Sequence, residues 1–366
     1  MRVGTRSSVA MSASVLSAFD AILDVRSPAE FADDHLPGAI NVPVLDDAER
    51  ARVGTLYKQV SPFEAKRVGA ALVARNIARH VESFTGKLRG WRPLVTCWRG
   101  GKRSGAMAHV LREIGWDAKT LEGGYKAYRR YVVEALERLP RRFVFHVVHG
   151  ATGSGKSRLL SALDAAGVQV LDLEALAAHR GSVLGALPDR PQPSQKLFES
   201  QLLSTLGALD PARPVFVEGE SRRIGQVQLP TALIESMRAA ACVRLEADLD
   251  TRVALLLEEY RHFFADLAVL NAQLDCLVDL HSRATVERWK TLAAQGEWQA
   301  LVTNLLEAHY DPAYRRSAAR NFPRLGEAEV VSVSGTEAPV FAQLARTLAG
   351  NRERERGAAA VVPLGA

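Results

Sequence analysis

The chain has 366 residues, of which 47% are hydrophobic and 24% are charged, and this length favours two globular domains over a single core. It contains three cysteines without C-x-x-C spacing, which argues against a disulfide framework and against a zinc cluster. No segment has the apolar length of a signal peptide or a membrane span, so we expect a cytoplasmic protein without a membrane partner. The net charge of +6 favours an anionic partner.

Seven apolar or β-branched runs alternate with helical segments along the chain and are predicted to be strands. In chain order, the runs are AILDV, PLVTCW, FVFHVVHG, VQVLDL, PVFVEGE, CVRLEA and VVSVSG. Regular alternation of strands and helices is typical of parallel sheets covered by helices. The pattern therefore predicts an α/β fold.

A charged helical segment, YKAYRRYVVEALERLPRRF, lies between PLVTCW and FVFHVVHG, and Pro140 is its natural stop. We expect the domain boundary here, because no strand is predicted across it. Both ends of the chain lack apolar periodicity and are predicted to be mobile. The predicted divisions are a mobile N-terminus at 1–15, a first domain at 16–138, a linker at 139–142, a second domain at 143–349 and a mobile tail at 350–366.

The first predicted strand leads directly into a helix, AILDVRSPAEF. Ser27 and Glu30 have the spacing of a capping box, and Pro28 fits the first helical turn. Asp24 and Arg26 are thereby placed at the carboxyl end of a strand, which is where ligands bind in open α/β sheets. Both residues are secondary candidates for a functional site.

Cys97 follows the second predicted strand and is expected at the same edge of the sheet. The loop after it carries Arg99, Gly100, Gly101, Lys102, Arg103 and Ser104. A helix N-terminus, loop N–H groups and three cations together predict a lowered pKa for this thiol. Such a loop suits a phosphatase, a sulfurtransferase or a selenium-handling enzyme, whereas a buried inert cysteine is the alternative. Cys242 and Cys276 lack these surroundings.

The third predicted strand ends in a glycine-rich phosphate loop, GATGSGKS, which fits G-x-x-x-x-G-K-[ST]. The residues expected to bind phosphate are Gly150, Thr152, Gly153, Ser154, Gly155, Lys156 and Ser157. Backbone N–H groups would hold the phosphate oxygens, Lys156 would add a positive charge, and the Ser157 hydroxyl suits magnesium. The motif predicts a polyphosphate ligand and does not distinguish ATP or GTP from other diphosphates.

Several further polar segments are candidates for the walls of a site. PVFVEGESRRIG contributes the secondary candidates Glu218, Glu220, Arg222 and Arg223, a weak match to an acidic metal-binding strand. The connections after residue 170 contribute Asp172, Glu174, His179, Arg180, Gln192, Ser194, Gln195 and Glu199. Solvated strand ends and loops explain the same residues equally well, so spacing alone leaves their roles open.

Aromatic and basic residues interleave in YKAYRRY and in HYDPAYRRSAARNFPR. This mixture suits RNA, because rings stack on bases while cations contact phosphates. An amphipathic helix with a solvated face is the more common explanation. The candidate RNA-binding residues are Tyr125, Lys126, Arg129, Arg130, Arg141 and Arg142.

Residues 18–138 resemble the rhodanese-like domain. The resemblance rests on DVRSPAEFADDHLPGAINVP, on the loop after Cys97 and on LEGGYKAYR. Five residues separate Cys97 from Arg103, one more than plain rhodaneses usually have, and this width resembles the loop of rhodanese-fold phosphatases. Those phosphatases usually carry histidine before the cysteine, whereas here the residue is Thr96.

Residues 18–349 as a whole resemble tRNA 2-selenouridine synthases. The segments that carry the resemblance are VGTLYKQVSPFEAKRVGA, TCWRGGKRS, HGATGSGKS, VLDLEALAAHRGS, QPSQKLFES, VEGESRRIG and HYDPAY. The resemblance implies an N-terminal rhodanese-like parallel-sheet domain and a C-terminal P-loop NTPase-like α/β domain. It also implies replacement of sulfur by selenium in 2-thiouridine at the tRNA wobble position. Selenophosphate would be the selenium donor, and geranyl diphosphate would first give an S-geranyl intermediate.

The family resemblance assigns a role to each loop. Cys97 would be the catalytic nucleophile, the six residues from Arg99 to Ser104 would bind selenophosphate, and the phosphate loop would bind the diphosphate of geranyl diphosphate, with magnesium as a further candidate. The expected partner is tRNA bearing 2-thiouridine, and selenophosphate synthetase is a second candidate. The alternative functions are a rhodanese-type sulfurtransferase or a phosphatase, either fused to a nucleotide-dependent kinase-like module, and a non-enzymatic tRNA-binding protein.

Overall fold

A computed structural model describes residues 8–360 of the chain. The backbone separates into two compact units, and the first is not continuous in sequence. It combines residues up to 135 with the segment Pro193–Ser204, while Leu136–Gln192 and the residues from 205 onward form the second. The assignment of Pro193–Ser204 differs from the predicted second domain at 143–349, because this segment packs against residues before 135.

The first unit is built on a parallel sheet with the strand order β1-β5-β4-β2-β3. Its strands are β1 Ser8–Val9, β2 Ala21–Asp24, β3 Ala39–Asn41, β4 Pro93–Thr96 and β5 Lys119–Leu121. Asp24 is in register with Thr96 on one side and with Asn41 on the other. The ends of three neighbouring strands therefore meet at one edge, directly before Cys97.

Five helices follow these strands in the first unit. They are α1 Pro28–Asp33, α2 Asp47–Gln59, α3 Pro62–Ser83, α4 Lys102–Ile114 and α5 Gly124–Arg138, with a short 3-10 helix at Ala13–Val15. The predicted capping box is present at α1, where Ser27 and Glu30 bond reciprocally and Pro28 opens the helix. Leu23, Val95 and Met107 are buried in the core beneath the sheet edge.

The second unit is built on another parallel sheet, with the strand order β12-β11-β6-β8-β7. Its strands are β6 Phe145–Gly150, β7 Gln169–Leu171, β8 Val215–Glu218, β11 Ala241–Glu246 and β12 Glu329–Ser332, and β9 Arg223–Ile224 pairs with β10 Val227–Gln228 as an antiparallel hairpin. β6 lies in the middle of the sheet and is buried along its whole length. It delivers the phosphate loop to the carboxyl edge.

The remaining helices cover this sheet and form a second apolar cluster, except that the helix Gln195–Ala208 belongs to the first unit as far as Ser204. They are α6 Lys156–Ala165, α7 Leu173–Ala177, α8 Gln195–Ala208, α9 Thr231–Ala239, α10 Leu249–Glu259, α11 His262–Ala265, α12 Leu267–Asp275, α13 Arg283–Ala294, α14 Trp298–Leu305, α15 Asp311–Asn321 and α16 Ala338–Ala360. Short 3-10 helices lie at Leu139–Arg142 and Pro323–Glu327, and one π-helical turn lies at Leu306–Tyr310. Leu274, Trp289 and Leu305 belong to a helical cluster separate from the core around Val148 and Phe341.

The parallel α/β prediction is confirmed for both units, and each of the seven predicted strands is present. Five short strands, β1, β3, β5, β9 and β10, were not predicted, because two or three residues are too few to show alternation. The predicted linker at 139–142 is a 3-10 helix directly after α5. Within residues 8–360, no helix has both the length and the apolar character to cross a bilayer.

Parts of the termini predicted to be mobile, 1–15 and 350–366, lie in secondary-structure elements. β1 pairs with β5, since Ser8 and Val9 add an edge strand to the sheet, and residues 350–360 continue α16. Residues 1–7 and 361–366 lie outside the described residues.

Candidate functional site

Cys97 lies at the base of a tight loop between β4 and α4. Its side chain is 3% exposed, and its Sγ lies 3.2 Å from Ser104 Oγ. The Gly101 N–H donates to Sγ over 3.4 Å. Gly101 is also the N-cap of α4, so the sulfur sits where the helix presents unpaired N–H groups.

The surroundings of Cys97 lower the pKa of its thiol. Burial alone would raise this pKa, but hydrogen bonds from Ser104 and from the backbone at Gly101 and Arg99 outweigh it. Hydrogen bonds to the sulfur, rather than the positive charges of the loop, are therefore the main cause of the lowered pKa. A thiolate stabilised in this way is a nucleophile at a lower pH than an ordinary cysteine.

Two glycines fix the shape of this loop by permitting close backbone contact. A Cβ at Gly100 would lie 2.3 Å from the Leu121 carbonyl oxygen, and one at Gly124 would lie 2.1 Å from the Cys97 carbonyl oxygen. The Tyr125 N–H donates to that same Cys97 oxygen over 2.9 Å. The LEGGY segment thus clamps the cysteine loop from behind, which explains why the two motifs occur together.

Asp24 and Arg26 form a buried ion pair instead of a ligand-facing pair. Arg26 Nη2 lies 2.6 Å from Asp24 Oδ2 and donates to the Asp34 carbonyl over 2.6 Å. Its guanidinium also lies 4.0 Å from the centre of the Tyr125 ring. The two residues are 0% and 1% exposed, so the prediction that they contact a ligand is corrected to a supporting role.

The cations of the loop differ in how free they are. Arg103 Nη1 lies 2.9 Å from Glu30 Oε2, and this carboxylate also pairs with Arg50 over 3.1 Å. Arg99 and Lys102 are exposed to solvent. An anion that enters the loop from solvent would therefore contact Arg99 and Lys102 before it reaches Arg103, which is paired with Glu30. Ser104 is fully buried with its hydroxyl 3.2 Å from the Cys97 Sγ, and its predicted contact with the anion stays a prediction.

The phosphate loop has the predicted strand, loop and helix arrangement. It runs from the end of β6 at Gly150 to the N-cap of α6 at Gly155. Lys156 Nζ lies 3.1 Å from the Gly150 carbonyl oxygen, so the ammonium group curls back over the loop. The Ser157 hydroxyl donates to Glu174 Oε2 over 3.3 Å. The loop and the start of α6 therefore present backbone N–H groups, with the Lys156 ammonium beside them, in an arrangement that can bind phosphate.

Three carboxyl groups lie beside the phosphate loop and resist ionisation. Burial, with the neighbouring Glu220 carboxylate, raises the pKa of Glu174 to about 8. Burial also raises the pKa of Glu220, although Lys156 opposes this. Glu218 is 2% exposed, and its Oε1 accepts a 2.6 Å hydrogen bond from the Glu174 N–H, while burial raises its pKa well above the usual range.

The Ser157 hydroxyl would be the first ligand of a magnesium ion, and the Glu174 and Glu220 carboxyl groups line the same cleft. Among residues 8–360, no group of three or more His, Cys, Asp or Glu side chains has a metal-binding arrangement. The strand end predicted as an acidic metal-binding strand is a cluster of partly or fully buried acids beside the loop, and its binding of a metal stays a prediction.

The cleft above the phosphate loop has a volume of about 310 Å³. Of the predicted secondary residues, Glu220 lines it, while Glu218 lies behind it and the exposed Arg222 and Arg223 belong to the β9 hairpin. Of the connection residues, Glu174 and Arg180 line the cleft.

The other connection residues are structural. Asp172 caps α7 by accepting from the Ala175 N–H, His179 accepts from the Gly181 N–H, and Gln192 bonds the Ala177 and Ile224 carbonyls. Ser194, Gln195 and Glu199 belong to the segment that packs in the first unit, where Ser194 donates to the Asp33 carbonyl.

The predicted tRNA-binding residues divide into buried, paired and exposed side chains. Tyr125 is 2% exposed and stacks on Trp98, so it cannot stack on a base, and this prediction is corrected. Arg129 pairs with Glu199, and Arg141 pairs with Glu235 over 2.7 Å. Lys126, Arg130 and Arg142 are exposed and remain candidates for phosphate contact.

A buried ion pair that the sequence did not reveal holds the phosphate loop from below. Arg252 pairs with Asp311 over 2.5 Å, and its Nε donates to the Thr152 carbonyl over 2.9 Å. Asp311 lies in HYDPAY, whose His309, Tyr310 and Tyr314 line the cleft. From its sequence this segment shows only an aromatic and basic pattern. Its part in the family resemblance is the one sequence signal for a place in the cleft.

The fold and the two loops define a class of protein in which a rhodanese-like thiol domain precedes a phosphate-loop domain. The model of the rhodanese-like domain matches residues 11–131, and that of the tRNA 2-selenouridine synthase AAA domain matches residues 143–275. Both halves of the predicted architecture are therefore confirmed.

Proteins named tRNA 2-selenouridine synthase are similar to the chain over most of its length. The one from Shewanella sediminis is 32% identical across 80% of this chain and 86% of its own, and the one from Alcanivorax borkumensis is 33% identical across 80% and 88%. The one from Nitrosomonas europaea is 38% identical over 250 residues, where the chain spans 63% of that relative's length. The chain belongs to the tRNA 2-selenouridine synthase family.

Proposed function

We propose that this protein replaces the sulfur of 2-thiouridine in tRNA with selenium. The observation that carries the proposal is the buried Cys97 thiol at the base of a cationic loop. Hydrogen bonds to its sulfur lower the pKa of this thiol. Selenophosphate is the proposed donor, since Arg99 and Lys102 are exposed in the loop that follows Cys97 and can meet a doubly charged anion. Cys97 would act as the nucleophile: its thiolate attacks the phosphorus of selenophosphate, the P–Se bond breaks and hydroselenide leaves, and water then cleaves the S–P bond to release phosphate. Family membership supports this substrate class.

We further propose that the phosphate loop binds geranyl diphosphate and that sulfur is alkylated before it is replaced. The thiocarbonyl sulfur would form a bond to C1 of the geranyl group while the C–O bond to diphosphate breaks. Diphosphate leaves with the electron pair, and the loop N–H groups and Lys156 stabilise its charge. Alkylation releases the N3 proton of 2-thiouridine and makes its sulfur a better leaving group than a thiocarbonyl. Hydroselenide can then attack C2, the C2–S bond breaks, and the sulfur leaves as geranylthiol after taking up a proton.

The proposed partner is tRNA in the cytoplasm, with selenophosphate synthetase as the source of the donor. Exposed Lys126 and Arg130 on α5, together with Arg142, support contact with a nucleic acid backbone. Such contacts are electrostatic, so tRNA binding should weaken as salt rises.

The decisive experiment combines the full chain with 2-thiouridine tRNA, selenophosphate and geranyl diphosphate, followed by digestion and mass spectrometry of the nucleosides. The expected products are S-geranyl-2-thiouridine and 2-selenouridine, with the first appearing earlier. Unchanged 2-thiouridine would refute the proposal. Thiocyanate formation from thiosulfate and cyanide, or hydrolysis of a phosphotyrosine mimic, would then favour the sulfurtransferase or phosphatase alternative.

Replacing Ser104 with alanine should move the pH dependence of selenation to higher pH. The Ser104 hydroxyl supports the thiolate from 3.2 Å, so its loss raises the pKa of Cys97. The rate should fall severalfold at neutral pH and recover in more alkaline buffer, as measured by a pH–rate profile. Ser83→Ala, which alters an exposed serine of the same unit, should leave the profile unchanged. A uniform loss at every pH would indicate a role for Ser104 outside thiolate stabilisation.

Replacing Glu174 with glutamine should strengthen diphosphate binding only in alkaline buffer. Below its pKa of about 8, Glu174 is neutral, and above this pH its negative charge repels a bound diphosphate. In magnesium-free titrations with inorganic diphosphate, we expect Glu174→Gln to bind about tenfold more tightly than wild type near pH 9 and equally near pH 6.5. Glu235→Gln alters an exposed acid of the same unit and should match wild type at both pH values. Equal affinities at alkaline pH would remove Glu174 from the binding cleft.

A further inference from the structure

A pair of histidines borders the phosphate-loop cleft within the second unit. His281 Nε2 and His309 Nδ1 lie 3.0 Å apart, which is hydrogen-bond distance, and the half-buried His309 lines the cleft. Because Nδ1 of His309 faces His281, the opposite ring nitrogen, Nε2, is the one that a ligand in the cleft can reach. The pair therefore offers one imidazole nitrogen to the region where a diphosphate would bind.

The backbone and the neighbouring rings fix the position of this pair. His309 lies in the π-helical turn Leu306–Tyr310 between α14 and α15, and such turns occur frequently at functional sites. Leu306 is fully buried and anchors the turn in the core. The Tyr310 ring meets the His309 ring edge to face with centroids 4.8 Å apart, and Trp289 meets His281 in the same way at 5.0 Å. Both imidazoles are thus held in defined orientations.

The surroundings of His309 keep its imidazole neutral at neutral pH. Burial lowers the pKa of this side chain, and the neighbouring His281 and Arg316 lower it further. Arg316 belongs to α15, and Tyr260 of α10 lines the same cleft as an uncharged phenol. A neutral imidazole has a nitrogen lone pair and can therefore accept a proton.

The other titratable groups of the cleft are less suited to accept a proton. Burial raises the pKa of the carboxyl groups that line it, and a bound diphosphate would disfavour their ionised forms further; they are Glu174, Glu220 and Glu259. Burial also raises the pKa of the lining phenols, which are Tyr260, Tyr310 and Tyr314. Lys156 and Arg180 carry positive charge. Among the described lining residues, His309 is therefore the best proton acceptor at neutral pH.

Alkylation of 2-thiouridine needs such an acceptor close to the bound diphosphate. The sulfur and N3 of the base are both attached to C2, so N3 lies next to the reacting sulfur when the sulfur reaches C1 of the geranyl group. Loss of electron density to the new S–C1 bond makes the N3 proton acidic, and a positioned base accelerates its removal. The acceptor must therefore border the phosphate-loop cleft, as His309 does.

We propose that His309 is the general base of the alkylation and that His281 is its positioning residue. The inference rests on the proposed function, because it assigns the proton that geranyl transfer releases. As the S–C1 bond forms and the C1–O bond breaks, the N3 proton moves to His309 Nε2 and its bonding pair forms the N3–C2 double bond. The π pair of the thiocarbonyl stays on sulfur. His309 Nδ1–H donates to His281 Nε2, and the proton on Nε2 passes to water when the diphosphate leaves.

The test is a pH–rate profile of tRNA geranylation by the full chain at saturating geranyl diphosphate, measured by mass spectrometry of digested nucleosides. The wild-type rate should rise with pH and level off near neutral pH, because His309 is neutral above its lowered pKa. His309→Gln should be about a hundredfold slower at neutral pH and recover steadily in alkaline buffer, where hydroxide removes the N3 proton. Its affinity for inorganic diphosphate, titrated by calorimetry, should equal that of wild type. His109→Gln alters an exposed histidine of the first unit and should match wild type in both assays.

Variants of His281 test the positioning role and cover the case in which His309→Gln does not fold. His281→Leu removes the acceptor for the His309 Nδ1–H and should slow geranylation about tenfold at neutral pH. His281→Gln provides an amide oxygen that can accept the same hydrogen bond, so most of the rate should return. Equal rates for the leucine and glutamine variants would contradict the positioning role.

The inference and the proposed function can fail separately. A wild-type profile from folded His309→Gln would overturn the inference alone, as would a loss of the same size at every pH or a loss explained by weaker diphosphate binding. Absence of the geranylated nucleoside from wild-type reactions would instead refute geranyl transfer, and the assignment of His309 with it.

Discussion

Replacing Cys97 with serine should reduce selenation of 2-thiouridine tRNA by a factor on the order of a thousand or more. A serine hydroxyl has nearly the same shape, but it stays protonated where the Cys97 thiol, with its lowered pKa, gives up its proton. The geranylated nucleoside should accumulate, because alkylation is assigned to the other loop. Mass spectrometry of digested tRNA measures both products in one sample.

The matched control for this variant is Cys276→Ser. Cys276 is an exposed cysteine of the second unit, so its loss should change neither product. Selenation by Cys97→Ser at the wild-type rate would show that Cys97 is not the nucleophile. Loss of the geranylated nucleoside as well would show that the two loops do not act in separate steps.

Replacing Lys156 with alanine should reduce geranylation by roughly a hundredfold, because the departing diphosphate loses its nearest cation. Ordinary 2-thiouridine tRNA should then remain unselenated. Supplied with tRNA that is already geranylated, the same variant should form 2-selenouridine at the wild-type rate. This pair of measurements separates the phosphate loop from the thiol loop.

Lys290→Ala provides the comparison for Lys156→Ala. Lys290 forms ion pairs with Asp275 and Glu287 at the surface of the second unit and does not line the cleft. Its loss should leave geranylation intact. If Lys156→Ala geranylates tRNA as well as Lys290→Ala does, the phosphate loop does not bind the geranyl donor.

Local spacing was enough to predict the positions of the two loops. Cys97 directly follows a buried strand, and Lys156 opens the helix after a buried strand and a glycine loop. The glycines and cations that shape both loops are close in sequence. The capping box at Ser27 could be predicted for the same reason, because its partners are three residues apart. Interactions of this range leave a clear pattern in the chain.

Partnerships between distant residues could not be predicted. The pairing of Arg129 with Glu199 joins residues 70 positions apart, and that of Arg252 with Asp311 joins residues 59 apart. The burial of Tyr125 depends on Trp98 and Arg26 from two other segments. The same holds for the apolar pocket lined by Leu270, Trp298 and Leu305, since these residues come from different helices and look individually like ordinary core.

The discontinuity of the first unit has a consequence for folding during synthesis. Lys196 pairs with Asp33 over 2.7 Å and Phe198 is fully buried, yet both belong to a segment made long after residue 135. The N-terminal unit therefore cannot be completed when its own sheet has left the ribosome, as is usual for N-terminal domains. It must wait until residue 204 emerges, by which time the phosphate loop has already been translated.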